Sequence, residues 1–223
     1  MRRARRRMRW RIGWDISHME FTIEDHYYFS LLKRKILSLG ASVEEVEALE
    51  DILSYDVLVI NYPEMPFNDA DVGRIVRYLE GGGRVVILGY FRNEDNVADN
   101  INSLTKRFGL ELLNDEIFDD HHNHEGDERI IVSSKVMLFS DGVRRVLMPC
   151  PAPIRPLSSD ARIVLEAENT ARTLSGHRPI MGALVGVGKG FVLLLGSCVF
   201  WDNFSIRKYD NMRFAANILL WKT

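Results

Sequence analysis

Cysteine is scarce in this chain. Of 223 residues only Cys150 and Cys198 are cysteines, and they form neither a CxxC pair nor a zinc-ligand spacing. That excludes a disulfide framework and a thiolate zinc site, and it makes a reduced, cytoplasmic setting the simplest expectation. Long apolar runs are missing too: no stretch of about 18 uninterrupted apolar residues offers a transmembrane helix. Net charge is nearly absent, at −2, so the body of the chain is not built for nucleic acid as a strongly basic domain is. No repeat, low-complexity tract or linker interrupts it.

Apolar residues, at 46%, are plentiful enough for a core and argue against general disorder. The length suits one domain, residues 9–223. The exception is the start. "MRRARRRMRWR" is strongly basic, and no apolar segment of signal-peptide length follows it. Residues 1–8 read as a disordered extension, with Met8 as an alternative start. This arm is the one part suited to nucleic acid or an anionic surface. Only seven of the 29 basic residues are Lys, an Arg bias that points to a GC-rich or thermophilic source and to no function.

Hydrophobic periodicity sets the expected elements. "RWRIGWD" (9–15), "YDVLVINY" (55–62) and "RVVILGY" (84–90) read as strands, the last two as runs buried on both faces of a parallel sheet, and 42–49 as a short strand. Helices are predicted over 25–40, with Tyr28, Leu31, Leu32, Ile36 and Leu39 on one face, over 68–83 with Asn68 or Asp69 as cap, and over 96–109. This alternation predicts a parallel α/β sheet. Short strands follow, then two strands within 179–197 joined by "GVGKG", then a helix in "NMRFAANILLWK". The "GVGKG" turn lacks the phosphate-loop pattern and no helix follows it, so a hairpin is expected.

In such a sheet, ligands bind beyond the carboxyl ends of the strands. That rule selects loops 15–24, 61–68, 89–96 and 197–211. The first, "GWDISHMEF", carries Asp15, Ser17, His18 and Glu20. A His among carboxylates can be a general base or a metal ligand, whereas Asp15 and Ser17 can equally satisfy backbone donors at a turn. In the third, a strand runs into a turn at Gly89-Tyr90, with Asn93 beyond. The fourth carries Ser197, Trp201 and Asp202; an aromatic face beside acids and amides suits a sugar or nucleoside, unless Phe200 and Trp201 fill the core and Asp210 or Asn211 caps the last helix. "FDDHHNHEGDE" holds His121, His122 and His124, candidate metal ligands on what reads as an exposed hairpin tip.

Three stretches together resemble a known family. "WDISHME", "NVADNINSLTKRFGLELLNDEI" and "GKGFVLLLGSCVFWDNFSIRKYDN" resemble, in order and spacing, segments of the GIFT domain, the glutamine-amidotransferase-like N-terminal domain of an intraflagellar-transport subunit, and of its prokaryotic relatives. The matching positions are Asp15, Ser17, His18, Glu20, Asn100, Asn102, Asn114, Asp115, Ser197, Asp202 and Asn211. The resemblance implies a flavodoxin-like three-layer sandwich with a mostly parallel central sheet and an antiparallel C-terminal elaboration. It also implies loss of the class I amidotransferase nucleophile, because Tyr90 stands at the cysteine position and both cysteines lie far downstream on other elements. Sugar binding is a family-level expectation.

The first expectation is therefore a non-catalytic ligand-binding or assembly domain, its pocket formed by Asp15, Ser17, His18, Glu20, Tyr90, Asn93, Ser197, Trp201 and Asp202, taking a carbohydrate or related polyol. No cofactor is required, though a divalent metal is allowed. The alternatives are a hydrolase with His18 as base, oriented by Asp15 or Glu20 or sharing a metal with them, and a structural homo-oligomer or docking module.

Overall fold

The computed structural model describes residues 10–220, so the extension expected over 1–8 lies outside the described residues. The central sheet is built from β1 (Arg11–Asp15), β2 (Ser42–Val46), β3 (Val57–Asn61), β4 (Arg84–Leu88), β5 (Lys135–Val136), β6 (Arg162–Glu166), β7 (Ile180–Val187) and β8 (Gly190–Leu195). Its order is β2-β1-β3-β4-β8-β7-β6-β5. Pairing is parallel from β2 through β8 and antiparallel beyond. Every residue of β3 is buried, as a parallel strand covered on both faces requires.

Helix α1 (His26–Ser38) starts where the Asp25 carboxylate accepts the N–H groups of Tyr27 and Tyr28. It buries Phe29, Leu32 and Ile36. Leu39, expected on that face, is 47% exposed because the helix ends at Ser38 and Leu39 leaves its register. Helix α2 (Asp69–Glu80) begins with a reciprocal capping box between Asn68 and Asp71 and buries Val72, Ile75, Tyr78 and Leu79. Helix α3 (Val97–Thr105) is shorter than its pattern, passing into a single tight turn, Lys106–Phe108, that Gly109 ends at φ 84°.

Antiparallel pairs elaborate the chain after residue 110, as expected, and the 179–197 hairpin is one of them, but it also extends the parallel sheet. Its second arm, β8, lies parallel beside β4, because Phe191–Leu195 is apolar enough to be buried on both faces. The turn between the arms needs glycine. A Cβ on Gly190 would stand 1.9 Å from the Gly83 carbonyl oxygen. Helix α4 (Asn211–Leu220) packs beside α1. The expected caps work elsewhere: the Asp210 carboxylate accepts the N–H groups of Arg144 and Arg145, and the Asn211 amide bridges Leu147 and the Phe200 carbonyl.

Candidate functional site

The strand order reverses direction between β1 and β3, and the loops after β1, β3, β4 and β8 leave the same edge of the sheet. Asp15, the last residue of β1, is fully buried. Its Oδ1 accepts both the Ser17 N–H, at 3.1 Å, and the Ser17 hydroxyl, at 2.7 Å, closing an Asx turn. His18 Nδ1 lies 2.9 Å from Ser17 Oγ and 3.2 Å from Asp15 Oδ2. Glu20 Oε2 accepts the His18 backbone N–H at 2.8 Å, while Oε1 lies 3.7 Å from Nδ1. On the other side of the ring, Nε2 faces Asp71 Oδ2 at 3.5 Å, and the imidazole stacks on Phe67 at 4.0 Å.

This constellation is not a Ser-His-Asp relay. A relay puts the nucleophile on one ring nitrogen and the orienting acid on the other. Here Asp71 does face Nε2, but Asp15 shares Nδ1 with Ser17 and also accepts the Ser17 hydroxyl proton, so that hydroxyl is not donated to the ring. Burial alone would lower the His18 pKa, but bonding to Asp15 and the charges of Asp15 and Asp71 outweigh it and raise it. The Glu20 carboxyl is pushed up by burial first and by neighbouring Asp15 second.

A separate cavity of about 240 Å³ opens at the same edge and shares no lining residue with the depression beside His18. Its aromatic walls include Phe21, Tyr28, Tyr62 and Tyr90, and Glu94, Asp95 and Asp202 supply acids. None of its lining residues is basic. Phe21 and Tyr62 stack at 5.0 Å, and Tyr90 meets Tyr62 edge-on at 6.1 Å. The Tyr62 hydroxyl donates to Asp95 Oδ2 at 2.8 Å. Burial drives the Asp202 carboxyl up against the pull of the Ser205 and Phe204 N–H groups. Tyr62, Arg92, Asn93, Asp95 and Asn96 all adopt left-handed φ angles, of 51° to 65°. Such conformations cost non-glycine residues energy and gather at functional sites.

Of the residues expected at one pocket, the fold brings Tyr90 and Asp202 to this cavity and gathers Asp15, Ser17, His18 and Glu20 into the other cluster. Asn93 instead bonds Asp99, through its amide N–H and through its carbonyl. Ser197 donates to the Pro149 carbonyl. Trp201 is fully buried, stacked on Phe200 at 5.0 Å, with its indole N–H on Asn61 Oδ1. Both cysteines, distant from Tyr90 in sequence, come close in space: Cys150 hydrogen-bonds Tyr90, and Cys198 lines the cavity. Neither is activated, since burial raises both thiols. Tyr90 itself is extended, at φ −152°, without the strained turn of a nucleophile elbow, and burial raises its phenol. The lining residues Phe21, Tyr62, Glu94 and Asp95 were missed individually, although all lie in the selected loops; Tyr28 read as helix core.

The histidine-rich segment is a hairpin, Asn123–His124 against Asp127–Ser133, turning at Glu125 and Gly126. His122 bonds Thr170, and His124 meets Tyr209 edge-on. Among the described residues, the one group of three or more ligand-type side chains with atoms within 4.8 Å is Asp15, His18 and Glu20, so His121, His122 and His124 do not converge. What organises the hairpin is Asp119, whose carboxylate accepts the N–H groups of His121 and His122 and the Thr170 hydroxyl. Burial would raise its pKa, but these bonds lower it. Asp119→Ala is expected to cost about 1–3 kcal/mol at neutral pH. A depressed folded pKa gives stability that is complete above the unfolded value and lost as pH falls through the folded one. Urea titrations from neutral pH downward should therefore show the gap between the two proteins holding to about pH 4 and narrowing below it.

The IFT52 GIFT domain family matches residues 15–137, a span from Asp15 through the loops after β1, β3 and β4. An uncharacterised protein of Aquifex aeolicus (strain VF5) is 40% identical over 218 residues, covering 94% of this chain and 92% of that protein. Among solved structures, the mmIFT52 N-terminal domain superimposes with a TM-score of 0.78 at 20% identity, covering 94% of this chain and 96% of that one. A cytoplasmic protein of Salmonella typhimurium gives 0.57 at 12% identity, covering 94% and 97%. These structural likenesses bear on the fold alone.

Proposed function

This chain belongs to the IFT52 GIFT domain family, and from that premise we propose that it is a non-catalytic, cytoplasmic ligand-binding domain whose site is the aromatic cavity, taking a neutral polyhydroxylated ligand of monosaccharide size. The carrying observation is the composition of that cavity: five aromatic rings and three carboxylates, with no basic residue among those lining it. Ring faces suit the apolar faces of a sugar, and carboxylates accept hydroxyl protons. Its volume, about 240 Å³, falls below the roughly 300–1,000 Å³ of drug-sized sites, which favours one small unit. Anionic ligands would meet acids without a counter-charge.

The absence of a relay at His18, the extended Tyr90 and the raised thiols support the non-catalytic reading. The order β2-β1-β3-β4 with β8 fifth supports a flavodoxin-like three-layer sandwich across the described residues. Two free thiols suit a reducing compartment.

A thermal-shift panel of neutral hexoses, amino sugars and sugar phosphates tests the proposal. A ligand of the folded state stabilises by about 2.7 kcal/mol at one hundred times its Kd. Neutral or amino sugars should raise the midpoint, and His18→Ala should leave that shift in place. Stabilisation by sugar phosphates alone, or by nothing in the panel, would contradict the reading.

A further inference from the structure

We propose that the buried cluster behind the first loop is a divalent-cation site, separate from the aromatic cavity, with His18 Nδ1, an Asp15 carboxylate oxygen and Glu20 Oε1 as its protein ligands. Three observations point there independently.

The first is geometry. One ligand atom from each of the three side chains lies within 4.8 Å of the others, with Nδ1 3.2 Å from Asp15 Oδ2 and 3.7 Å from Glu20 Oε1. Ligand atoms about 2.0–2.2 Å from a tetrahedral cation stand roughly 3.3–3.6 Å apart. The second is Glu20 Oε1. The side chain is fully buried and, among the described residues, this oxygen meets no donor; burial and the Asp15 carboxylate beside it raise the Glu20 pKa. Buried polar atoms are normally paired. Its sister Oε2 is pinned by the His18 N–H, which turns Oε1 toward Nδ1. The third lies across the ring. Nε2 faces Asp71 Oδ2 at 3.5 Å. A metal-bound imidazole commonly directs its other N–H at a carboxylate, which fixes the tautomer and leaves the opposite lone pair for the cation.

Charge agrees with this placement. Asp15 and Glu20 sit together out of water, and a dication between them would neutralise both. Solvent reaches His18 and Ser17 through the depression they share with Asp71 and Arg74. One imidazole with two carboxylates suits Zn²⁺ or Mn²⁺ better than a thiolate-seeking ion.

Calorimetric titration of the full chain, stripped with chelator, with ZnCl₂ and separately MnCl₂ tests the site. One equivalent of at least one of these ions should bind. Glu20→Gln, which keeps the side-chain volume, should abolish that equivalent. Asp71→Ala should weaken it roughly 10–100-fold as a positioning residue. Replacing His121, His122 and His124 together by alanine should leave it intact. Circular dichroism establishes that each variant is folded; if Glu20→Gln is not, the Co²⁺ absorption spectrum of the wild type reports whether the ligands are nitrogen and oxygen in a low-coordinate site. No bound equivalent in the wild type would overturn the proposal. So would binding that survives Glu20→Gln but disappears with the three histidines, or a Co²⁺ spectrum like that of the hydrated ion.

Discussion

Trp201→Ala should lower the free energy of unfolding by about 3–5 kcal/mol. That is a large share of the roughly 5–15 kcal/mol that holds a typical domain together. The indole is fully buried between Phe200 and Trp14, with ring centroids 5.0 and 5.4 Å away. Truncation leaves a cavity where β1, β3 and the loop after β8 meet, and it strips Asn61 Oδ1 of its donor at 3.2 Å. Trp201→Phe, which keeps a ring in the stack but not the indole N–H, should cost less. Urea denaturation followed by circular dichroism measures both. A loss under about 1 kcal/mol combined with abolished ligand binding would instead make Trp201 the stacking platform that its sequence context allows.

Tyr90→Ala should do the reverse, weakening sugar binding by about 10–100-fold while leaving the fold intact. Tyr90 is only partly buried, so its removal opens no deep void. It stands in the cavity wall beside Tyr62, and losing its ring removes one apolar face offered to the ligand. Isothermal titration with the best sugar of the thermal-shift panel supplies the affinity, and urea unfolding supplies the stability control. Unchanged affinity in a folded variant would move the site elsewhere.

Much of the scaffold was legible because local chemistry dictates it. The run Val57–Asn61 is apolar enough to need cover on both faces, and Asn68 sits where a helix needs an acceptor for its first N–H groups. The parallel pattern then identified the loops that line the cavity. The division into two sites was not legible. Whether the side chain of His18 turns toward Tyr90 or toward Asp71 depends on the Asx turn at Asp15 and on the position of α2, a long-range contact. The left-handed loop at Arg92–Asn96 has no glycine to announce it. Cys150 and Tyr90 meet only because the chain folds back after residue 110.

The polar residues shared with the family pattern show a further limit. Asn100 donates to the Pro63 carbonyl, and Asn102 bonds both the N–H and the carbonyl of Leu112. Asp115 accepts from Leu174 and Ser175. These side chains tie α3 and the loops to one another by satisfying backbone groups, and a string of letters cannot separate that duty from ligand contact.

The most direct measurement is a chemical-shift titration of the isotope-labelled protein with glucose, galactose and mannose. Perturbations confined to the loops carrying Phe21, Tyr62, Tyr90 and Asp202 are the expected result. Perturbations centred on Ser17, His18 and Asp71 with the cavity unaffected would contradict it and return the site to the first loop.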